Sequence, residues 1–123
     1  MRVKICGLTT LDTLDGAINA GAAYVGFVFF EKSPRHLTIE KASQMAKIVP
    51  EGICKTALVV DPSDLDLDTL LDKVPIDMIQ LHGHESVDRV SEVTNNQTQT
   101  LWTLTLIDPT TGWFNMPDIT TKR

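Results

Sequence analysis

Four times in its first 93 residues the chain repeats one pattern: a short run of β-branched and aromatic residues, then a segment of helical period. The strand-like runs begin near Val3, Tyr24, Lys55 and Asp77. A helix between successive strands is the crossover that parallel pairing needs, whereas an antiparallel pair needs only a tight turn. The repeat therefore predicts an α/β fold with a parallel sheet. The first helix is expected to start at Thr9 or Thr10, to carry Leu11, Leu14, Ala17 and Ile18, and to stop at Gly21. The second begins at Thr38, buries Ile39, Ala42, Met45, Ala46 and Val49, and is closed by Pro50. After the turn Asp61-Pro62-Ser63-Asp64, a third presents Leu67, Leu70 and Leu71 and ends at Val74-Pro75. Ser86 to Val93 reads as a fourth, striped by Val87, Val90 and Val93.

Parallel strands place their carboxyl ends on one side of the sheet, and α/β proteins bind ligands there. Three of these ends carry reactive side chains. Lys4-Ile5-Cys6-Gly7-Leu8-Thr9 offers a thiol, and Tyr24 to Phe30 followed by Glu31-Lys32-Ser33-Pro34-Arg35-His36 offers a guanidinium. Met78-Ile79-Gln80-Leu81-His82-Gly83-His84-Glu85 offers an imidazole. Neighbouring strands would bring Cys6, Arg35 and His82 to one mouth. Taken singly, each has a plainer reading: a free Cys is most often a small buried apolar side chain, and a loop Arg is most often solvated. Cys54 reads as core packing.

A formal charge of −5 and a pI near 5.0 exclude a phosphate-neutralising surface, so no nucleic-acid partner is expected. Two cysteines with no secretory signal ahead of them suit a reducing, cytoplasmic setting. The longest apolar run, residues 24–30, is too short to span a bilayer, so no membrane partner is expected. His36, His82 and His84 form no zinc signature, and the sequence implies no metal and no cofactor.

The pieces KICGLT, GAAYVGFVFFEKSPRHLTIEKA, ALVVDPSD and DMIQLHGHES resemble, in order and spacing, the phosphoribosylanthranilate isomerase family of tryptophan biosynthesis. The resemblance covers residues 1–94. It implies a truncated TIM-type (β/α)8 barrel of about four βα units, since a whole barrel takes about 200 residues or more and the chain has 123. Strand period by itself is equally compatible with a small doubly wound sheet of flavodoxin type. The implied reaction is an Amadori rearrangement of a phosphorylated small molecule, an N-linked phosphoribosyl aminobenzoate, to an aminoketose. On that resemblance Cys6 is the general base, Arg35 binds the anthranilate carboxylate and His82 lines the same mouth. A thiol at a strand end facing helix N-termini suits the role of base. The family's acid, an Asp at the end of the sixth strand, and its phosphate loops after strands seven and eight have no counterpart here. Asp61 reads as a turn and helix-entry residue, and the 123 residues alone are expected to show no turnover.

From Asn95 on, the composition changes to eight Thr, one Gly and no Ala. Leu101 to Ile107 alternates, Asp108-Pro109-Thr110-Thr111-Gly112 makes a turn, and Trp113 to Met116 begins another strand, which together predict a β-hairpin tail. LTLIDPTTGWFNMPDITTKR resembles a short piece of a retroelement integrase core, without that fold's first carboxylate; Asp108 is read as a turn residue. The chain is thus divided into a partial barrel, 1–94, and a foreign or divergent tail, 95–123. Open sheet edges invite self-association or pairing with a partner half.

Overall fold

The computed structural model describes residues 1–96 and 102–105. Five strands, β1 (Lys4–Cys6), β2 (Tyr24–Phe29), β3 (Cys54–Val59), β4 (Met78–Leu81) and β5 (Trp102–Thr105), form one sheet in the order β1-β2-β3-β4-β5. Every neighbouring pair is parallel. Between them run α1 (Leu11–Asn19), α2 (Ile39–Lys47), α3 (Asp64–Lys73) and α4 (Val87–Asn96).

The helices start where side chains satisfy otherwise unpaired N–H groups. Thr10 caps α1, its hydroxyl accepting from the Thr13 N–H at 3.1 Å, and Thr38 does the same for α2 through Lys41 at 3.2 Å. Ser63 and Asp66 cap α3 reciprocally, each side chain accepting from the other's N–H. Helix entry there belongs to Ser63, so Asp61 is left for another task.

One apolar cluster joins Leu14 and Ala17 of α1, Ala42, Met45 and Ala46 of α2, Leu67 and Leu70 of α3 and Val93 of α4 to Val25, Phe27, Ala57, Val59, Ile79 and Leu81 of the strands. Those strand residues share one parity and hence one face. All four helices therefore cover the same side of the sheet. A doubly wound sheet would put helices on both sides and reverse its strand order at a switch point. The sequential order and single covered face exclude that alternative.

The other face is concave. Lys4 Nζ on β1 donates to Gln80 Oε1 on β4. In a flat sheet three strand spacings would separate those strands by about 14 Å, more than the two side chains span comfortably. The contact requires the sheet to curl, as an arc of a barrel does. Below it on the same face, Tyr24, Cys54 and Met78 pack together, in the manner of a barrel's interior layer. Cys54 is thus a core residue, and no disulfide joins it to Cys6.

The first arm of the tail, Trp102–Thr105, is a strand and pairs in parallel with β4, Met78 opposite Trp102 and Leu81 opposite Thr105. A two-residue period marks a strand without naming its partner, and α4 supplies the crossover that parallel pairing requires. The Asp108 turn and the Trp113–Met116 arm lie outside the described residues.

Candidate active site

Cys6, the loop after β2, Asp61 and His82 all stand at the carboxyl ends of their strands, on one rim of the arc. The thiol of Cys6 sits in the space left by Gly26, its register partner on β2: a Cβ built on Gly26 would lie 2.8 Å from Sγ. Gly7 follows with φ +79°, a conformation that favours glycine, and its N–H donates to the Gly26 carbonyl at 3.0 Å. Strand β1 is thereby held against β2 while the chain turns toward α1.

Arg35 comes from a loop that leaves β2 and returns to it. Ser33 donates its N–H to the Phe30 carbonyl, its Oγ accepts from the Arg35 N–H at 3.1 Å, and Leu37 N–H closes the loop on the Val28 carbonyl at 2.9 Å. The Arg35 side chain then crosses the turn after Cys6. A Cβ on Gly7 would meet Arg35 Cδ at 2.5 Å and Nη1 at 2.6 Å, so that only glycine leaves room for the guanidinium. Arg35, far from Gly7 in the chain, packs against it here, one residue from Cys6.

His82 enters through the ladder, its N–H donating to the Val59 carbonyl at 2.8 Å. With Arg35 it lines a cavity of about 470 Å³ whose other walls are Val28, Phe30, Ser33, Leu58, Val60, Gly83 and His84. Apolar walls with a few convergent cations suit an aromatic anion. Cys6 is beside this cavity through Arg35, and is not part of its lining.

His84 also faces the cavity, although its ring is highly exposed. Asp61 holds it: Asp61 Oδ1 accepts from the His84 N–H at 2.6 Å, and Oδ2 lies 3.0 Å from Nδ1. The ring's hydrogen bond holds the Asp61 carboxyl below its ordinary pKa, and the same bond raises the His84 imidazole above its own. Asp61 adopts φ +44°, the left-handed region, which Asp tolerates better than most side chains. Glu85 completes the arrangement, accepting from the N–H of Asp61 at 3.0 Å and of Gly83 at 2.8 Å. A carboxylate approaching the backbone this closely explains Gly83, whose Cβ would lie 2.5 Å from Asp61 Oδ1. His36 lies elsewhere, on a groove between α2 and α3. Among the described residues no group of three or more His, Cys, Asp or Glu could hold a metal ion, and no helix is long and apolar enough to cross a membrane.

Sequential parallel βα units, curled with their helices on one side and with reactive side chains at the strand carboxyl ends, form an arc of the (β/α)8-barrel kind. The sequence model of N-(5'-phosphoribosyl)anthranilate (PRA) isomerase matches residues 3–108, through β5. The chain belongs to the phosphoribosylanthranilate isomerase family. It is 55% identical over 93 residues to the N-(5'-phosphoribosyl)anthranilate isomerase of Cereibacter sphaeroides, covering 76% of this chain and 44% of that protein. The fold is similar to the Thermotoga maritima phosphoribosyl anthranilate isomerase, with a TM-score of 0.80 and 26% identity, over 87% of this chain and 50% of that one. An isomerase structure holding reduced 1-(o-carboxyphenylamino)-1-deoxyribulose 5-phosphate matches with the same TM-score of 0.80 and 26% identity, over 87% of this chain and 53% of that one. The chain thus spans about half the length of the relatives it matches.

Proposed function

We propose that these residues form the N-terminal half of a phosphoribosylanthranilate isomerase barrel and bring to it the base and the aminobenzoate contacts. Opening of the ribosylamine gives an imine, whose activated C2 proton passes to the Cys6 sulfur; reprotonation at nitrogen and ketonisation leave the 1-amino-1-deoxyketose. Arg35 binds the anthranilate carboxylate with its fork of donors. His82 lines the same cavity beside the aromatic ring.

The observation that supports the reading is the Arg35 side chain lying across Gly7, the residue after Cys6. The titratable acid and the phosphate loops of the family belong to later strands, so the 123 residues alone are predicted to bind the aminobenzoate end without turning the substrate over. Titration with 2-aminobenzoate, followed by ¹H–¹⁵N NMR, tests this. Shifts centred on Cys6, Arg35 and His82, lost in Arg35→Ala, are expected; shifts scattered over the helices, or none, would refute the reading.

Strands β1 and β5 are the outer members of the described sheet and offer edges through which a complementary half or a second copy would pair. The division at residue 94 is part of this proposal, with β5 continuing the sheet beyond it. The integrase likeness of the tail carries no activity, since the first carboxylate of that fold is missing. The working compartment we assign is the cytoplasm.

A further inference from the structure

We propose that His84, set in place by Asp61, is a second cationic contact for the carboxylate of an aromatic ligand in the mouth cavity, alongside Arg35. The inference rests on the aminobenzoate reading of that cavity and adds a residue to it. Three observations support it. His84 and Arg35 are on the lining of the same cavity, whose remaining walls include Val28, Phe30, Leu58 and Val60. An apolar slot edged by two cations fits an arenecarboxylate better than a sugar or a bare phosphate. Secondly, the imidazole has an anchor: its Nδ1 lies 3.0 Å from Asp61 Oδ2, which leaves Nε2 as the ring nitrogen available to a ligand. Thirdly, Asp61 keeps a left-handed backbone at φ +44°, a state that persists only where surroundings hold it. Glu85 holds its N–H, His84 its carboxylate, and Gly83 gives it room. The loops after β3 and β4 are thereby joined, and the product of the joint is a fixed, protonatable ring at the cavity's edge.

The titratable and charged groups around that ring are Asp61 from the loop after β3, Glu85 on its own loop, and Arg35 and His82 across the cavity. Arg89 of α4 borders the far side of His84, and is turned to Asp64, Glu92 and the Pro62 carbonyl. The two carboxylates favour the imidazolium. Binding through His84 should accordingly be present at pH 6 and fade as the imidazolium deprotonates.

The test is titration of the protein with 2-aminobenzoate at several pH values, for wild type, His84→Gln, Asp61→Asn and Arg35→Ala. At pH 6, His84→Gln should bind about threefold to tenfold more weakly, and its affinity should no longer fall between pH 6 and 9. Asp61→Asn should move the midpoint of that fall to lower pH, a result that a merely structural role would not produce. His84 is exposed, so His84→Gln should stay folded and lose only what its pairing with Asp61 contributes. If His84→Gln binds like wild type with the same pH profile while Arg35→Ala does not bind, this inference is overturned and the aminobenzoate mouth stands. If wild type does not bind at all, both fall together.

Discussion

Two glycines in successive elements, Gly16 in α1 and Gly26 in β2, should respond to the same substitution with opposite signs. Gly26 lies in β2, and an added Cβ would meet Cys6 Sγ at 2.8 Å, Cα at 3.1 Å and Cβ at 3.2 Å. The first contact is a side-chain atom and can yield by rotation, but the second is backbone of a paired strand and cannot yield alone. Overpacking of this kind costs about 1–3 kcal/mol. Gly16 lies inside α1 and an added Cβ meets nothing within 4 Å. There alanine removes the backbone-entropy penalty of a helical glycine, a gain of about 1 kcal/mol. At about 4 °C per kcal/mol for a domain of this size, Gly26→Ala should melt about 4–12 °C lower and Gly16→Ala about 4 °C higher. Urea titration supplies the free energies, and reactivity of Cys6 toward a disulfide reagent in a Cys54→Ala background reports whether the thiol has been displaced. In a double-mutant cycle, Cys6→Ala should recover only part of the Gly26→Ala loss, because the Cα and Cβ contacts remain. A Gly26→Ala protein as stable as wild type, with unaltered thiol reactivity, would refute the close packing of Cys6 on β2.

Gly83→Ala should cost about 1–3 kcal/mol in a urea titration, since its Cβ would lie 2.7 Å from Asp61 Cγ and 2.9 Å from the Asp61 backbone nitrogen. Ser63→Ala removes one half of the α3 capping box and should cost about 1 kcal/mol by the same measure. Thr56→Val should stabilise by about 1 kcal/mol, because the buried Thr56 hydroxyl has no partner among the described residues. The Asp61–His84 pair contributes in a defined pH window. With the Asp61 pKa lowered, its share is present above about pH 3.9 and lost as pH falls; with the His84 pKa raised, its share is complete below about pH 6.5 and lost as pH rises. The stability difference between wild type and Asp61→Asn should therefore peak near about pH 5 and shrink toward about pH 9.

Much of this fold is legible in the sequence because the helix starts and strand lengths are local properties. Thr10, Thr38 and Ser63 cap where their hydroxyls precede apolar stripes, and Val25, Phe27, Ala57 and Ile79 advertise strands. What period does not encode is which strand pairs with which. The alternation at Trp102–Thr105 marks a strand, and its parallel pairing with β4 follows from the crossover that α4 supplies. The Lys4–Gln80 contact, which reveals the curl of the sheet, joins residues that no local pattern connects. At the mouth, Cys6, Arg35 and His82 stand out as reactive side chains at strand ends. His84 does not, because its significance comes from Asp61 on another loop. The available signal was Gly83 between two histidines: a residue kept small where another chain segment comes close.

The most direct test of the central claim is the activity of a chimaera in which residues 1–94 of this chain replace the matching segment of the Cereibacter sphaeroides isomerase, its own later strands supplying the rest of the barrel. Consumption of N-(5'-phosphoribosyl)anthranilate is followed by its fluorescence, with Cys6→Ala alongside. Turnover is expected in the chimaera, and none above background in Cys6→Ala. A folded chimaera that does not isomerise, or one indifferent to the loss of Cys6, would contradict it.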